Sequence, residues 1–268
     1  VDIAVNNAKT SNNHICIYEE SKNIEERYKE NIELATQIKE AILGNRIICH
    51  YQPLLNIENS EIYSYESLVR LIDNKGNSLA PYKFLDFSKK IKLYSSITKI
   101  VVDQACKTFQ NRDENFSINL SVDDIKDLET VDFILKTIKE TNTSSRVTFE
   151  ILESEGIENY QEVISFINQI KSLGARIAID DFGTGYSNFE HLLRLDVDYI
   201  KIDGSLIKNI VTDDKHRLIV ETIVSFAKRI GIKTVAEFVS DEKILQTIKE
   251  IGISCAQGYH IGKPETLV

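Results

Sequence analysis

In the stretch ARIAIDDFGTGYSN, residues 175–188, two adjacent carboxylates, Asp180 and Asp181, stand where a short apolar run gives way to a glycine-rich turn. Neighbouring side chains on a strand point to opposite faces, so a regular strand would send one inward and the other out. Other apolar runs close on polar groups too: Glu66 in YSYESLVR, Asn119 in FSINLS, Glu150 in VTFEILE, Lys201 in YIKID, Glu237 in TVAEFV and Gln257 in CAQGYH. Glu, Asn and Asp are hard oxygen donors, and neither His nor Cys stands among them. That set suits Mg²⁺ or Mn²⁺ and disfavours zinc. Two such ions sharing one bridging carboxylate clamp the attacking and leaving oxygens of a phosphoryl displacement. If the strand ends at Asp180, a turn permitted by Gly183 and Gly185 brings Asp181 to the same place, so that one carboxylate bridges and the other holds the second ion. Lys201 among these acids reads either as a structural ion pair or as the charge that orients the nucleophilic water.

Such a constellation needs elements to gather it. From about residue 46, candidate strands at 47–54, 62–70, 115–120, 146–152, 176–181, 199–203, 233–239 and 255–260 alternate with helical segments. In QEVISFINQIKSLG, for example, Val163, Phe166, Ile167, Ile170 and Leu173 share one helix face. Three helices stop alike, at Leu173-Gly174, Ile230-Gly231 and Ile251-Gly252, each followed by a short strand and then a polar group. The recurring helix–Gly–strand–polar unit predicts an α/β fold of the (β/α)₈ barrel type, with the polar groups on the C-terminal rim. A doubly wound open sheet is the competing arrangement. GTGYSN lacks the third glycine of a dinucleotide fingerprint and would set two aspartates against a pyrophosphate, so that reading is set aside.

The remaining features exclude rather than assign. The net charge of −9 argues against DNA or RNA polymers, which are bound by neutralising phosphates with Lys and Arg. No apolar run is long enough to span a bilayer, and no signal peptide is evident. Cys16, Cys49, Cys106 and Cys255 are scattered and form no CxxC pair, as expected of free thiols in a cytoplasmic protein. The five histidines, at 14, 50, 191, 216 and 260, lie outside the rim pattern and are expected in surface or packing roles. The chain starts at Val1 and contains no Met, which we take to mark a segment of a longer protein.

The motifs YQPL (51–54), YESLVR (65–70), NLS (119–121), FEILES (149–154), DDFGTGYS (180–187), VDYIKID (197–203), TVAEFV (234–239) and QGYHIGKP (257–264) resemble, in order and spacing, those of the EAL-domain family of cyclic di-GMP phosphodiesterases. The resemblance implies a barrel of the triosephosphate-isomerase type with an antiparallel first strand. It further implies hydrolysis of one phosphodiester of cyclic di-GMP to linear pGpG with two Mg²⁺ or Mn²⁺ ions. Carried over by motif, Glu66, Asn119, Glu150 and Asp180 resemble ligands of the first metal. Asp180 and Asp181 serve the second, with Glu237 and Gln257 close to it. Lys201 resembles the water-positioning lysine, and Glu153 the glutamate that anchors the loop after Asp181. Gln52 and Arg70 sit where the family contacts substrate, with Arg70 suited to phosphate.

Departures from the pattern are few. The signature Glu-Ala-Leu reads Glu66-Ser67-Leu68, and where many members have AEGVE this chain has Ala236-Glu237-Phe238-Val239-Ser240, without the final carboxylate. Residues 1–21 resemble the end of a GGDEF domain, which implies a GGDEF–EAL tandem parent, or another upstream sensor domain, able to attach the whole to a membrane. Residues 22–45, with Ile24, Tyr28, Ile32, Ala35, Ile38 and Ile42 in one stripe, read as the connector helix, and 46–268 as the barrel. EAL domains often form homodimers. The alternatives are a cyclic di-GMP receptor that does not hydrolyse, relaying binding through the connector, and a barrel enzyme for another phosphodiester.

Overall fold

The computed structural model describes residues 22–155, 161–183 and 189–267, which form two compact units. The smaller unit takes the chain up to Arg46 together with Leu71–Tyr94. Its first element is α1 (Lys22–Leu43), which ends two residues short of the 22–45 span read from the sequence. Only the later part of that stripe is covered: Ile38 and Ala41 are buried, whereas Tyr28 and Ile32 are exposed. The unit also holds a two-residue strand, β3 (Ser78–Leu79), paired with Leu71 and Ile72, which the sequence reading missed because two residues carry no periodicity. A short helix, α2 (Leu85–Lys90), completes it.

The larger unit is the barrel. Its strands are β1 (Ile47–Asn56), β2 (Glu61–Ile72), β4 (Asn115–Leu120), β5 (Val147–Leu152), β6 (Arg176–Phe182), β7 (Tyr199–Ile202), β8 (Lys233–Ala236) and β9 (Cys255–Gln257). The last two residues of β2 belong to the smaller unit. The strands neighbour one another in the order β1, β9, β8, β7, β6, β5, β4, β2, and a β1–β2 pairing closes the ring. β1 runs antiparallel to β9, while the pairs from β2 to β9 are parallel. An (β/α)₈-type barrel with its first strand reversed is therefore what the chain forms, and not an open sheet.

Helices cover the outward faces of the strands: α3 (Tyr94–Phe109), α4 (Val122–Lys126), α5 (Leu128–Glu140), α6 (Gln161–Ser172), α7 (Phe189–Arg194), α8 (Gly204–Ile207), α9 (Asp214–Arg229) and α10 (Glu242–Ile251). On α6 the predicted face is buried at Val163, Phe166, Ile167 and Ile170, and Phe166 meets Phe149 of β5 edge to face. Phe109 of α3 stacks on Phe116 of β4 with ring centres 4.6 Å apart. Each such buried ring contributes about 2–3 kcal/mol by leaving water, which is what holds a helix against its strand. The three glycine stops take φ between 77° and 87°, the left-handed turn that ends a helix without a Cβ clash. No helix among the described residues is long and apolar enough to cross a membrane.

Candidate active site

Inside the barrel the strand residues alternate, and successive inward positions form two layers. The layer nearer the C-terminal rim comprises Gln52, Glu66, Asn119, Glu150, Asp180, Lys201, Glu237 and Gln257. Two residues earlier on the parallel strands, and two later on reversed β1, come Leu54, Ser64, Ser117, Thr148, Ala178, Tyr199, Val235 and Cys255. A narrow pocket is lined by members of both layers, among them Glu66, Glu150, Lys201 and Gln257 above and Ser117, Thr148 and Tyr199 below. Lys201 joins Glu66, Glu150, Asp180 and Glu237, while Asn119 and Gln257 bond Glu66, and Gln52 meets Gln257 from 205 residues away in the sequence.

Lys201 organises the upper layer. It is 3% exposed, and its Nζ lies 2.6 Å from Glu150 Oε2, 3.0 Å from Glu237 Oε1, 3.1 Å from Asp180 Oδ1 and 3.4 Å from Glu66 Oε2. Burial alone would strip its proton, but these four acids outweigh burial and hold the ammonium well above the usual lysine range. One ammonium cannot balance four carboxylates, and the imbalance shows in the acids. Burial, opposed by Lys201 but reinforced by Asp180 and Glu66, pushes Glu237 up to about 8. Glu150 is also driven well above the carboxylate range, by burial and by facing Glu66 and Asp180. Glu66 goes the other way. Burial raises it, yet Lys201 and two amide donors, Gln257 Nε2 at 2.6 Å and Asn119 Nδ2 at 2.7 Å, bring it below the ordinary value.

Asp181 reaches the mouth by a route the sequence did not reveal. β6 does not end at Asp180 but continues to Phe182, with a register irregularity between Ile179 and Phe182 against β7. Asp181 itself takes the left-handed conformation, φ 56°, and its N–H donates to Asp180 Oδ1 at 3.0 Å. A bulge, not a strand end, thus turns two neighbouring carboxylates to one side. Gly183 follows at φ 105°, and its N–H donates to Glu153 Oε2 at 3.2 Å, which ties Glu153 to the start of the loop. Gly185 lies outside the described residues. Burial, then Asp180 and Asp203, push Asp181 up to about 6.

Asp180, Asp181 and Glu237 each offer an oxygen within 4.8 Å of the others, a cluster that could hold a divalent cation. The donors fit such an ion chemically: all are hard oxygens, two of the three carry pKa values raised by burial and by neighbouring carboxylates, and the buried Gln257 Oε1 has no hydrogen-bond partner among the described residues. The substrate-side candidates lie beside this layer. Gln52 donates to the Gly262 carbonyl at 3.1 Å and receives Gln257 Nε2 at 3.3 Å. Arg70 is half-buried, its Nη1 on the Val69 carbonyl at 2.8 Å, with Glu66 and Tyr259 in its electrostatic surroundings. Ser240 is exposed and donates to Asp241 Oδ2 at 3.0 Å.

Asp203 escaped the sequence reading. Its carboxyl is hydrogen-bonded to Asp181, and it also caps α8 by accepting from the Ser205 N–H at 2.8 Å. The signal was present, since Asp203 stands two residues beyond Lys201, the spacing of one strand face. Of the histidines, His50, His216 and His260 bond to the Pro264 carbonyl, Asp213 and Glu242 respectively, away from the acidic layer. His14 and the side chain of His191 are not among what is described.

Comparisons with known proteins agree with this geometry. A family model described as EAL domain matches residues 35–264. The chain is 35% identical over 275 residues to "Cyclic di-GMP phosphodiesterase PdeB" of Shewanella oneidensis, covering 99% of this chain and 32% of that protein. It is 32% identical over 240 residues to "Probable cyclic di-GMP phosphodiesterase PdeA" of Escherichia coli, covering 87% of this chain and 32% of that one. The chain thus spans about a third of the length of these curated relatives. A solved structure described as "PaMucR Phosphodiesterase, c-di-GMP complex" superposes with a TM-score of 0.82 at 28% identity, covering 87% of this chain and 97% of that one. With the reversed first strand, the rim of oxygen donors and a family match over most of its length, the chain belongs to the EAL domain family.

Proposed function

We propose that this chain hydrolyses one phosphodiester bond of cyclic di-GMP to linear pGpG. The observation that carries the reading is the convergence of Asp180, Asp181 and Glu237 within 4.8 Å beside a buried lysine that faces four carboxylates. The names of the relatives and the bound ligand of the solved neighbour support the substrate.

In this reading Glu66, Asn119, Glu150 and Asp180 would hold one divalent cation, Mg²⁺ or Mn²⁺, and Asp180 and Asp181, with Glu237 and Gln257, would hold a second. When bound, such ions supply positive charge at the phosphoryl oxygens and acidify a water molecule. Asp180, which both faces Lys201 and belongs to the Asp181–Glu237 cluster, would be shared by the two ions. Lys201, kept protonated by its acids, orients the attacking water at Nζ. Glu237 and Asp181, whose carboxyls retain protons more readily than ordinary acids, would act as ligands in their ionised form. The water oxygen attacks phosphorus and releases a proton to solvent, the P–O3′ bond breaks, and the departing 3′ oxygen takes a proton from solvent. Glu153 holds the loop after Asp181 in register through Gly183. Gln52 and Arg70 contact the substrate, Arg70 by donating to a non-bridging phosphate oxygen.

The wider assignments follow from the same reading. Residues 1–21 and 22–45 serve as the end of an upstream GGDEF or sensor domain and as the connector, which would account for the exposed Tyr28 and Ile32 on α1. A cytoplasmic setting is supported by the unpaired thiols of Cys49, Cys106 and Cys255. Homodimer formation is supported by the exposed Leu193, Val211, Leu218 and Ile219 on and beside α7 and α9. Incubation with cyclic di-GMP and Mg²⁺, followed by chromatography, tests the activity. Formation of pGpG is expected. Tight binding with no product at micromolar enzyme would instead assign a receptor, and comparable turnover of unrelated diesters a broader phosphodiesterase.

A further inference from the structure

Glu237 is followed by a residue that the backbone disfavours. Phe238 takes φ 54°, a left-handed conformation in which a bulky side chain crowds its own carbonyl. Phe238 is nevertheless 54% exposed, so less than half of what an aromatic gains by full burial is available to offset that strain. The ring lies against Gly204, where any Cβ would collide with it, and Lys208 Nζ sits 4.1 Å from the ring centre. Gly204 adjoins Asp203, which bonds Asp181. The ring thus follows Glu237 of the acidic cluster directly and lies, through Gly204, beside Asp203, which bonds Asp181, just past the ends of β7 and β8.

An open aromatic face with an ammonium beside it is a pairing that receives a nucleobase while attracting the phosphate to which the base is attached. We propose that Phe238 is a stacking platform for one purine ring of the substrate, with Lys208 neutralising the nearby phosphate. The inference deepens the phosphodiesterase reading and rests on it for the identity of the ligand. Stacking uses the base's face and not its edge, so this contact gives affinity with little preference between purines.

Initial rates against cyclic di-GMP concentration, with Mg²⁺ present, would be compared for the unaltered protein and for Phe238→Gly, Phe238→Leu and Phe238→Tyr. Glycine accepts φ 54°, so the first variant removes the ring without straining the fold, and its thermal midpoint should be no lower. Loss of one stacked base predicts a KM raised at least about fivefold in the Gly and Leu variants, with kcat within about twofold, and a near-normal KM for Tyr. An unchanged KM in Phe238→Gly would overturn the proposal. So would a fall in kcat at constant KM, which would make the ring a mere support of the Asp203 turn. If the unaltered protein forms no pGpG, the hydrolytic reading fails separately. Calorimetric titration with cyclic di-GMP then decides: at least about fivefold weaker binding by Phe238→Gly supports the platform, and equal binding, or none by either protein, refutes it.

Discussion

On β6 to β9 the side chains Ala178, Tyr199, Val235 and Cys255 form an apolar cluster, with Leu54 and Tyr63 packed against it. Two residues further along the same strands, Asp180, Lys201, Glu237 and Gln257 form the ionic rim. The backbone is the same and both layers are buried, yet one layer satisfies itself and the other does not. In the lower layer the hydroxyls of Tyr63 and Tyr199 bond each other at 2.6 Å, and apolar contact does the rest. In the upper layer four acids share a single ammonium. Burial therefore stabilises the lower layer and stresses the upper one, a stress that the cations proposed for the rim would relieve.

The contrast can be broken hardest at Asp180. Asp180→Asn keeps the shape but removes the carboxylate assigned to bridge both ions, so turnover should fall by at least ~10³-fold with the fold intact. Substantial residual activity, measured as pGpG formed per enzyme, would refute the bridging role. Lys201→Ala should lower turnover by ~10²–10³-fold. The same change leaves buried acids without their counter-charge, and should destabilise the metal-free protein by ~3–5 kcal/mol in denaturant titrations. Affinity for Mg²⁺ should change far less than turnover, and equal losses in both would contradict the assignment to water.

In the lower layer effects should be modest. Tyr199→Phe deletes one half of the hydroxyl pair and should cost ~1 kcal/mol of stability while turnover stays within about twofold. A large catalytic loss would mean that the two layers are coupled and not independent. The smallest effect concerns the thiols. Burial raises Cys255 to about 11, against a lesser lowering by Lys233, and pushes Cys106 to about 11 and Cys49 to about 12. A raised pKa means less thiolate at a given pH, roughly one molecule in a thousand at pH 8 for a thiol near 11. Peptide mapping after treatment with a thiol reagent should accordingly find these three unlabelled until the protein unfolds.

Much of the site was legible because each barrel strand announces itself locally. An apolar run ending in Glu66, Asn119, Glu150 or Asp180 needs only the period of two to be read, and Gly174, Gly231 and Gly252 mark the helix ends by their backbone freedom. Asp203 was legible by the same period and was overlooked. The bulge at Asp181 was not legible, because an aspartate enters the left-handed region only when its surroundings repay the cost. Nor could α1 reveal where its apolar stripe is covered, since Tyr28 and Ile38 look alike on a helical wheel while one is exposed and the other buried.

Residue types and their spacing along the chain determined the alternation of strands and helices, the order of the polar strand ends and the expectation of hard cations, because strand alternation and ligand chemistry are properties of single residues and their near neighbours. Only the tertiary structure decided that Lys201 faces four acids at once, that Glu66 and Glu150 are driven in opposite directions, and that Phe238 stands open beside the cluster. Those outcomes depend on distances between groups far apart in sequence, and charge interactions and desolvation are set by such distances and by burial.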